Sequence, residues 1–496
     1  MLKVRIVKTA SGARAVQVVY YSNRKTKVFK HIGSGHTDDQ VEKLQTLAID
    51  FINRSTPLLF FDGEPKVNDL LSVEKSEFIG IYYSFFYEVI QNLFKRIGLD
   101  VIRKNLLLDL VIMRIFEPAS KLQSISLLEQ YFGIRHRRQS FYESAPKWLA
   151  LKDKTEDIVL NFAKQHYNFN FDLIFYDVTT LYFETFKQDE LRKNGFSKDN
   201  KSQQPQILVA LMVTKEGFPI TYEIFPGNTF EGHTIIPIVK RFIRKYEINQ
   251  FTIVADAAML SSENIEQLVE SKINYIVGAR LGNVSTKLFD QINQADLNEN
   301  GKSIRIKTDN GYLICTYSSL RYRKDKYELE KQIQRAKHVI ENPTKNKKLK
   351  FTKTNGAKIE LNQKLIDKNI KLLGIKGYYT NLQEKVVDSS TIVERYHQLY
   401  RIEQAFRISK HDLETRPIFH FKEEPIKLHL LICFMALVVS KHIELCTGHS
   451  IKYFIDHCKK ITDGRIYNTI AQEEIKMRAK LTKEVSELLK KLNLSY

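Results

Sequence analysis

The chain has 496 residues, 43% of them hydrophobic, enough to bury sizeable cores in two to four domains. Lys and Arg number 77 against 57 Asp and Glu, a net charge of +20; so basic a protein meets a polyanion, nucleic acid first among them, unless the lysines reflect only a low-GC codon bias. Cys315, Cys433, Cys446 and Cys458 have no paired spacing, which argues against a disulfide framework or zinc site, and Met1–Lys8 and the longest apolar run, Leu430–Val439, are too short for a signal peptide or for the ~20 residues of a membrane span.

Residues 1–74 open the chain. Val4 and Ile6, then Val16, Val18 and Tyr20, alternate with period two around a turn at Ser11 and Gly12, and predict a small twisted hairpin. Arg5, Lys8, Arg14, Arg24, Lys25, Lys27 and Lys30 make it basic, either as a DNA-contacting face or as an edge strand protected by lysine. A short helix over 38–53 and a connection over 54–74 follow. Residues 75–166 are expected to be helical throughout, with apolar stripes such as Phe85, Val89, Leu93 and Phe94. The basic turn Gly133–Arg138 suits a helical DNA-binding domain, with plain helix packing as the alternative.

A second pattern begins at Tyr167. The apolar run Asp172–Thr180 predicts a buried strand carrying Asp177. A charged excursion from Phe183 to Gln204 holds Lys198, a phosphate contact or a residue of a solvated loop. Strands Ile207–Thr214 and Phe218–Phe225, a helix Thr234–Tyr246 and a strand ending at Asp256 come next, then a helix Ser262–Lys272 and a strand Asn274–Ala279. The pattern is a three-stranded antiparallel meander, a crossover helix and a parallel strand. Residues 281–375 read as a β-rich insertion subdomain. A helix over 390–412, with Val393, Leu399, Ile402 and Phe406 at helical spacing, carries Glu403 and the basic residues Arg401, Arg407 and Lys410. Past Arg416, an apolar helix over 425–446 backs the sheet. The tail, 447–496, reads as two helices, one basic from Lys476 to Lys491, that cover DNA or a partner subunit.

Asp177 and Asp256 end apolar strands, the place where open α/β sheets put their active sites. With Glu403 they make three converging carboxylates, which repel one another unless divalent cations neutralise them. Oxygen-only ligation suits magnesium or manganese, and two such ions roughly 3.5–4 Å apart clamp the attacking and leaving oxygens of a phosphodiester. Each residue alone is more often a turn, cap or surface residue; order and context raise its standing.

The element order matches the ribonuclease H-like fold. With it, the motifs make the chain resemble DDE-class insertion-sequence transposases of the "IS four" superfamily, whose signature spaces Tyr, Arg, Glu and Lys. Tyr396, Glu403 and Lys410 fall on that signature, and Leu399 stands at its Arg position, as in one branch of the superfamily. The same branch resembles this chain at Tyr176–Thr180, Gly195–Asp199, Phe225–Asn228 and Asp412–Pro417. The resemblance implies a ribonuclease H-like catalytic domain over 167–280 and 376–446, interrupted by the insertion. It implies that Asp177, Asp256 and Glu403 hold two Mg²⁺ ions, with Mn²⁺ able to replace them. It implies recognition of terminal inverted repeats, cutting of the ends, joining of 3′-hydroxyls to target DNA, and a homodimer in the synaptic complex. Tyr396 and Lys410 are expected at the phosphate, with Lys198, Arg401, Arg407 and Arg416 as further DNA contacts. On a continuous helix Arg407, not Arg401, returns to the Glu403 face and takes the place of the missing Arg. A nuclease without strand transfer and a domesticated, non-catalytic DNA-binding protein remain as rivals. A bacterial, cytoplasmic location follows from the absence of a leader or span.

Overall fold

The computed structural model describes residues 2–22, 25–55, 76–196, 203–248, 250–259, 261–341, 349–355, 358–469 and 473–496. The chain forms two compact units.

The first unit combines Met1–Glu88, Glu129–Ile134 and Asp456–Glu487. The expected hairpin gains a third strand: Leu2–Lys8, Arg14–Ser22 and Lys25–Gly35 pair in that order, all antiparallel. Val16 and Val18 are sealed by Val41, Leu44 and Ala48 of the helix Asp38–Ser55, so one face is dry. The lysines of the third strand, Lys25, Lys27 and Lys30, stay exposed on the edge.

The unit's second sheet corrects two expectations. Ser76–Tyr82, read as helical, is a strand, and Glu473–Arg478, read as the start of a basic helix, is another. Both flank Asp463–Asn468 in an antiparallel trio. The partners come from opposite ends of the chain, so no local turn announces them. Arg478 fastens the trio, donating to Asp463 at 2.7 and 3.0 Å and to Glu88 at 2.7 and 2.8 Å. Only Lys483–Lys491 remains of the predicted basic helix.

The second unit holds Val89–Leu128, Arg135–Ile455 and Leu488–Tyr496. Its helices α1 (Asn105–Phe116) and α2 (Leu151–Tyr167) precede a large mixed sheet. The sheet's strands are β1 (Leu173–Tyr182), β2 (Gln206–Thr214), β3 (Pro219–Pro226), β4 (Thr252–Ala255), β5 (Asn274–Ala279), β6 (Ser303–Thr308), β7 (Gly311–Tyr317) and β8 (Ile375–Thr380). They lie in the order β6-β7-β8-β5-β4-β1-β2-β3. β1, β2 and β3 form the expected antiparallel meander, and the amphipathic helix α3 (Ile235–Tyr246) crosses over so that β4 runs parallel to β1 and β5 parallel to β4. β2 is buried at every position, which is why it reads as an unbroken apolar run rather than an alternation.

Residues 281–375 do not stand apart as a β-rich insertion. Their strands β6 and β7 hydrogen-bond through β8 to β5 and extend the main sheet. Leu281, Ile292, Ile306, Leu313 and Cys315 share a core there. The segment is also strongly helical, with Ser319–Glu341 its longest element.

The helix expected over 390–412 is three pieces: α4 (Ser389–His397), α5 (Tyr400–Arg407) and a π-helical turn at Ile408–Asp412. Leu399 and Arg401 bond back three residues, to Tyr396 and Gln398, so the chain tightens at the junction. Angular arithmetic for a continuous helix therefore fails across 399–403. Leu399 itself is buried, beside Ile402 and Phe406 in the same condition.

Helix α6 (Glu423–Thr447) packs on β3 and α1. Among the described residues it is the one helix long and apolar enough to cross a membrane, yet 83% of its apolar window is buried, which makes it a core helix. A buried ion pair ties the unit together: Glu156 of α2 accepts from Arg241 of α3 at 2.9 and 3.0 Å and from the Thr221 hydroxyl of β3 at 2.6 Å.

Candidate active site

β1 and β4 are parallel neighbours, and Tyr176 is level with Ala255. The next residue on each is an aspartate. Residues level with one another on parallel strands share a face, so Asp177 and Asp256 emerge side by side, opposite the buried Tyr176 and Ala255. Asp256 lies just past the end of its strand. Asp177 does not: β1 runs on to Tyr182 because Val178–Tyr182 still pairs with Gln206–Ala210 of β2. The shared level comes from the shortness of β4. Each aspartate accepts a 2.7 Å bond from the amide of the residue after it, Val178 or Ala257.

Helices α4 and α5 lie against this part of the sheet, α4 on β4 and β5 and α5 on β1 and β2. Buried Ile402, Ala405 and Phe406 seat α5, and Glu403 projects exposed. Tyr396, at the end of α4, donates its hydroxyl to Asp256 Oδ1 at 3.1 Å. Burial, then the carboxylates of Asp256 and Glu403, push the Tyr396 phenol above its ordinary value and keep it a donor. Gly278 makes this reach possible: a Cβ there would stand 2.5 Å from the Tyr396 hydroxyl oxygen.

Lys376 of β8 completes the surroundings. Burial and the neighbouring Arg321 pull its ammonium below the ordinary lysine value, while Asp256 and Glu403 pull it up. It sits 4.5 Å from the Tyr396 ring centroid. An open cleft of ≈ 450 Å³ adjoins Asp256 and Tyr396, lined also by Arg280, Arg321, Lys350 and Lys376 and by the acidic Asp325 and Glu328, with Arg321 paired to Asp325 at 3.2 Å. Nothing local in the sequence marks Lys376 or Arg321; β8 reaches the site only because it pairs with β5.

The other predicted contacts are dispersed. Lys410 is half-buried in the π-turn, which re-aims it relative to α5. Arg401 donates to the carbonyl of Lys215 and leans on Gly217, so it is docked on the β2–β3 turn. Arg407 is exposed. Both arginines stand near Lys441, whose ammonium is held low chiefly by burial. Arg416 lies over the Tyr182 ring at 6.0 Å, at the end of β1 and about 16 Å along the strand from Asp177. Lys198 lies outside the described residues.

Asp177, Asp256 and Glu403 offer only oxygens, the donor chemistry of hard divalent cations. They do not close into a single cluster of three ligand atoms. Carboxylates beside a cleft that also carries Arg280, Lys350 and Lys376 suit an enzyme acting on a phosphodiester backbone.

The chain belongs to the transposase DDE-domain family, whose model matches residues 169–439, more than half its length. DNA transposition and recombination is therefore its class of activity, a nucleotidyl-transfer chemistry that such enzymes generally perform with divalent metal ions. No curated protein matches the chain. Among solved structures it is similar to a piggyBac transposase seen by cryo-EM in a synaptic complex with hairpin DNA, at 12% identity and a TM-score of 0.37, over 70% of this chain and 68% of that one.

Proposed function

We propose that this protein is an insertion-sequence transposase of the "IS four" kind, with a ribonuclease H-like catalytic core, that cuts the ends of its element and joins their 3′-hydroxyls to target DNA. The observation that carries this is the level exit of Asp177 and Asp256 from adjacent parallel strands, beneath the helices that bring Tyr396 and Glu403 over them.

In this reading Asp177, Asp256 and Glu403 hold two Mg²⁺ or Mn²⁺ ions. Bound there, the ions would activate the attacking hydroxyl and stabilise the leaving oxygen of an in-line displacement. Tyr396 fixes the Asp256 carboxylate through its hydroxyl. Lys376 and Lys410 neutralise the phosphate, with Arg321, held by Asp325, lining the cleft it enters. Arg407, exposed at the end of α5, takes the phosphate role that Leu399 cannot fill, while Arg401 holds the β2–β3 turn. Terminal inverted repeats are read by the N-terminal third and the tail, and two copies hold the two ends together.

Asp177→Asn, Asp256→Asn and Glu403→Gln keep shape and remove a ligating charge. Each is expected to lower end cleavage in Mg²⁺ by ~10³-fold or more with DNA binding intact. Wild-type-like cutting by any one of them removes that residue from the site. Strand transfer of a pre-cut end separates a transposase from a nuclease that only hydrolyses.

A further inference from the structure

Away from the carboxylates, the last turn of α2 meets the C-terminal part of α6. His166 comes from α2, and His442 and Cys446 from α6. We propose that His166, His442 and Cys446 form a second metal site, for a single borderline-soft divalent cation of the zinc class, that ties these two helices together.

The geometry is close to what such an ion needs. One ligand atom from each residue lies within 4.8 Å of the others. Cys446 Sγ is 3.6 and 3.8 Å from the two ring nitrogens of His442 and 4.0 Å from His166 Nε2. Around a tetrahedral ion with bonds of ~2.3 Å to sulfur and ~2.0–2.1 Å to nitrogen, sulfur and nitrogen ligands stand roughly 3.5 Å apart. The sulfur–nitrogen pairs therefore need to close by only a few tenths of an ångström, while the two imidazole nitrogens, within 4.8 Å of each other, close to roughly 3.3 Å by rotation of the exposed His166 side chain. His442 and Cys446 are four residues apart on one helix, hence on one face, and the helix holds their spacing.

The surroundings orient the ligands. The Tyr167 hydroxyl is 2.8 Å from His442 Nδ1. With Nδ1–H assigned as the donor to that oxygen, Nε2 keeps its lone pair for the ion, the usual arrangement of a ligating imidazole. Phe162 stacks on His166 at 5.0 Å between centroids, 11° from parallel. His442 is buried, Cys446 half-buried and His166 exposed, so the fourth position opens to water on the His166 side. Binding replaces the thiol proton: the Cys446 S–H bond breaks, sulfur keeps the electron pair and ligates the cation, and the proton passes to solvent. Arg96 stands near and disfavours added positive charge; its guanidinium is engaged by the Leu492 carbonyl, and the thiolate offsets one charge of the ion. Nitrogen and sulfur donors do not suit Mg²⁺, so this site and the carboxylates sort their ions by chemistry.

Titrating the reduced, chelator-treated full chain with Co²⁺ in excess Mg²⁺ tests the proposal, because only a thiolate gives a sulfur-to-cobalt charge-transfer band. The expected result is a band saturating at one equivalent, displaced by Zn²⁺, and lost in both Cys446→Ser and His166→Ala. His166 is exposed, so its variant leaves the core intact if Cys446→Ser folds poorly. No band in the wild-type chain overturns the proposal, as does a band that persists in Cys446→Ser.

Discussion

Gly278→Ala isolates the Tyr396–Asp256 contact without touching either partner. The new Cβ would stand 2.5 Å from the Tyr396 hydroxyl oxygen, 3.1 Å from its Cζ and 3.3 Å from the Ala257 Cβ. Ordinary contact begins at 3.4 Å, so the phenol must retreat by 3.4 − 2.5 = 0.9 Å. Its ring cannot swing freely: Tyr378 packs edge-on at 4.9 Å and the Lys376 ammonium sits 4.5 Å from its centroid. A retreat of 0.9 Å directly away from Asp256 would stretch the 3.1 Å bond to about 4.0 Å, beyond hydrogen-bonding range. A hydrogen bond to a charged acceptor contributes ~1.5–3 kcal/mol, so losing it from the carboxylate proposed to hold the metal is expected to slow cutting roughly 10–100-fold. Tyr396→Phe should match it, and the double variant should lose no more than either single. The assay is single-turnover cleavage of an element-end duplex in saturating Mg²⁺, with DNA binding and far-UV circular dichroism as controls. Cutting by Gly278→Ala at the wild-type rate, or losses that multiply in the double variant, would refute the reasoning.

The remaining expectations are independent of that contact. Lys376→Gln removes a positive charge beside Asp256 and Glu403, so half-maximal cutting should need roughly fivefold less Mg²⁺, about 1 kcal/mol at a water-like dielectric, while the maximal rate falls; an unchanged Mg²⁺ requirement would place Lys376 outside the field of the ions. Arg407→Ala should lower cutting about tenfold and Arg401→Ala leave it nearly unchanged, and equal, mild effects in parallel assays would sink the assignment to Arg407. Glu156→Ala removes one of the two carboxylates that hold the half-buried Arg241, leaving Glu223 at 2.8 Å, and should cost ~1.5–3 kcal/mol in urea unfolding, with a loss below ~0.5 kcal/mol counting against a structural role. Binding to an end duplex should weaken linearly on a log–log plot as salt rises, and a flat response would show that the +20 charge is incidental.

The sequence by itself determined the path β1–β2–β3–α3–β4 and the positions of Asp177 and Asp256 on it. Buried strands such as Gln206–Thr214 are unbroken apolar runs, and α3 shows its amphipathic face, so short-range pattern suffices there. It also singled out Glu403 and Tyr396 as candidates, because residue spacing is a local property, and the structure sets the Tyr396 hydroxyl on Asp256. Tertiary structure decided what depends on contacts between distant segments. Ser76–Tyr82 is a strand because Asp463–Asn468 pairs with it, and β6 and β7 belong to the main sheet because β8 joins them to β5. The same pairing carries Lys376 to the carboxylates, where no spacing in the chain would put it. The break at Leu399 turns Arg401 and Arg407 relative to Leu399 and Tyr396, and the π-turn at Ile408–Asp412 re-aims Lys410, so a uniform 100° per residue holds only within Tyr400–Arg407. His166 and Cys446, 280 residues apart, meet only because α2 and α6 end side by side; a ligand pair so remote leaves no periodicity for a sequence reading to find.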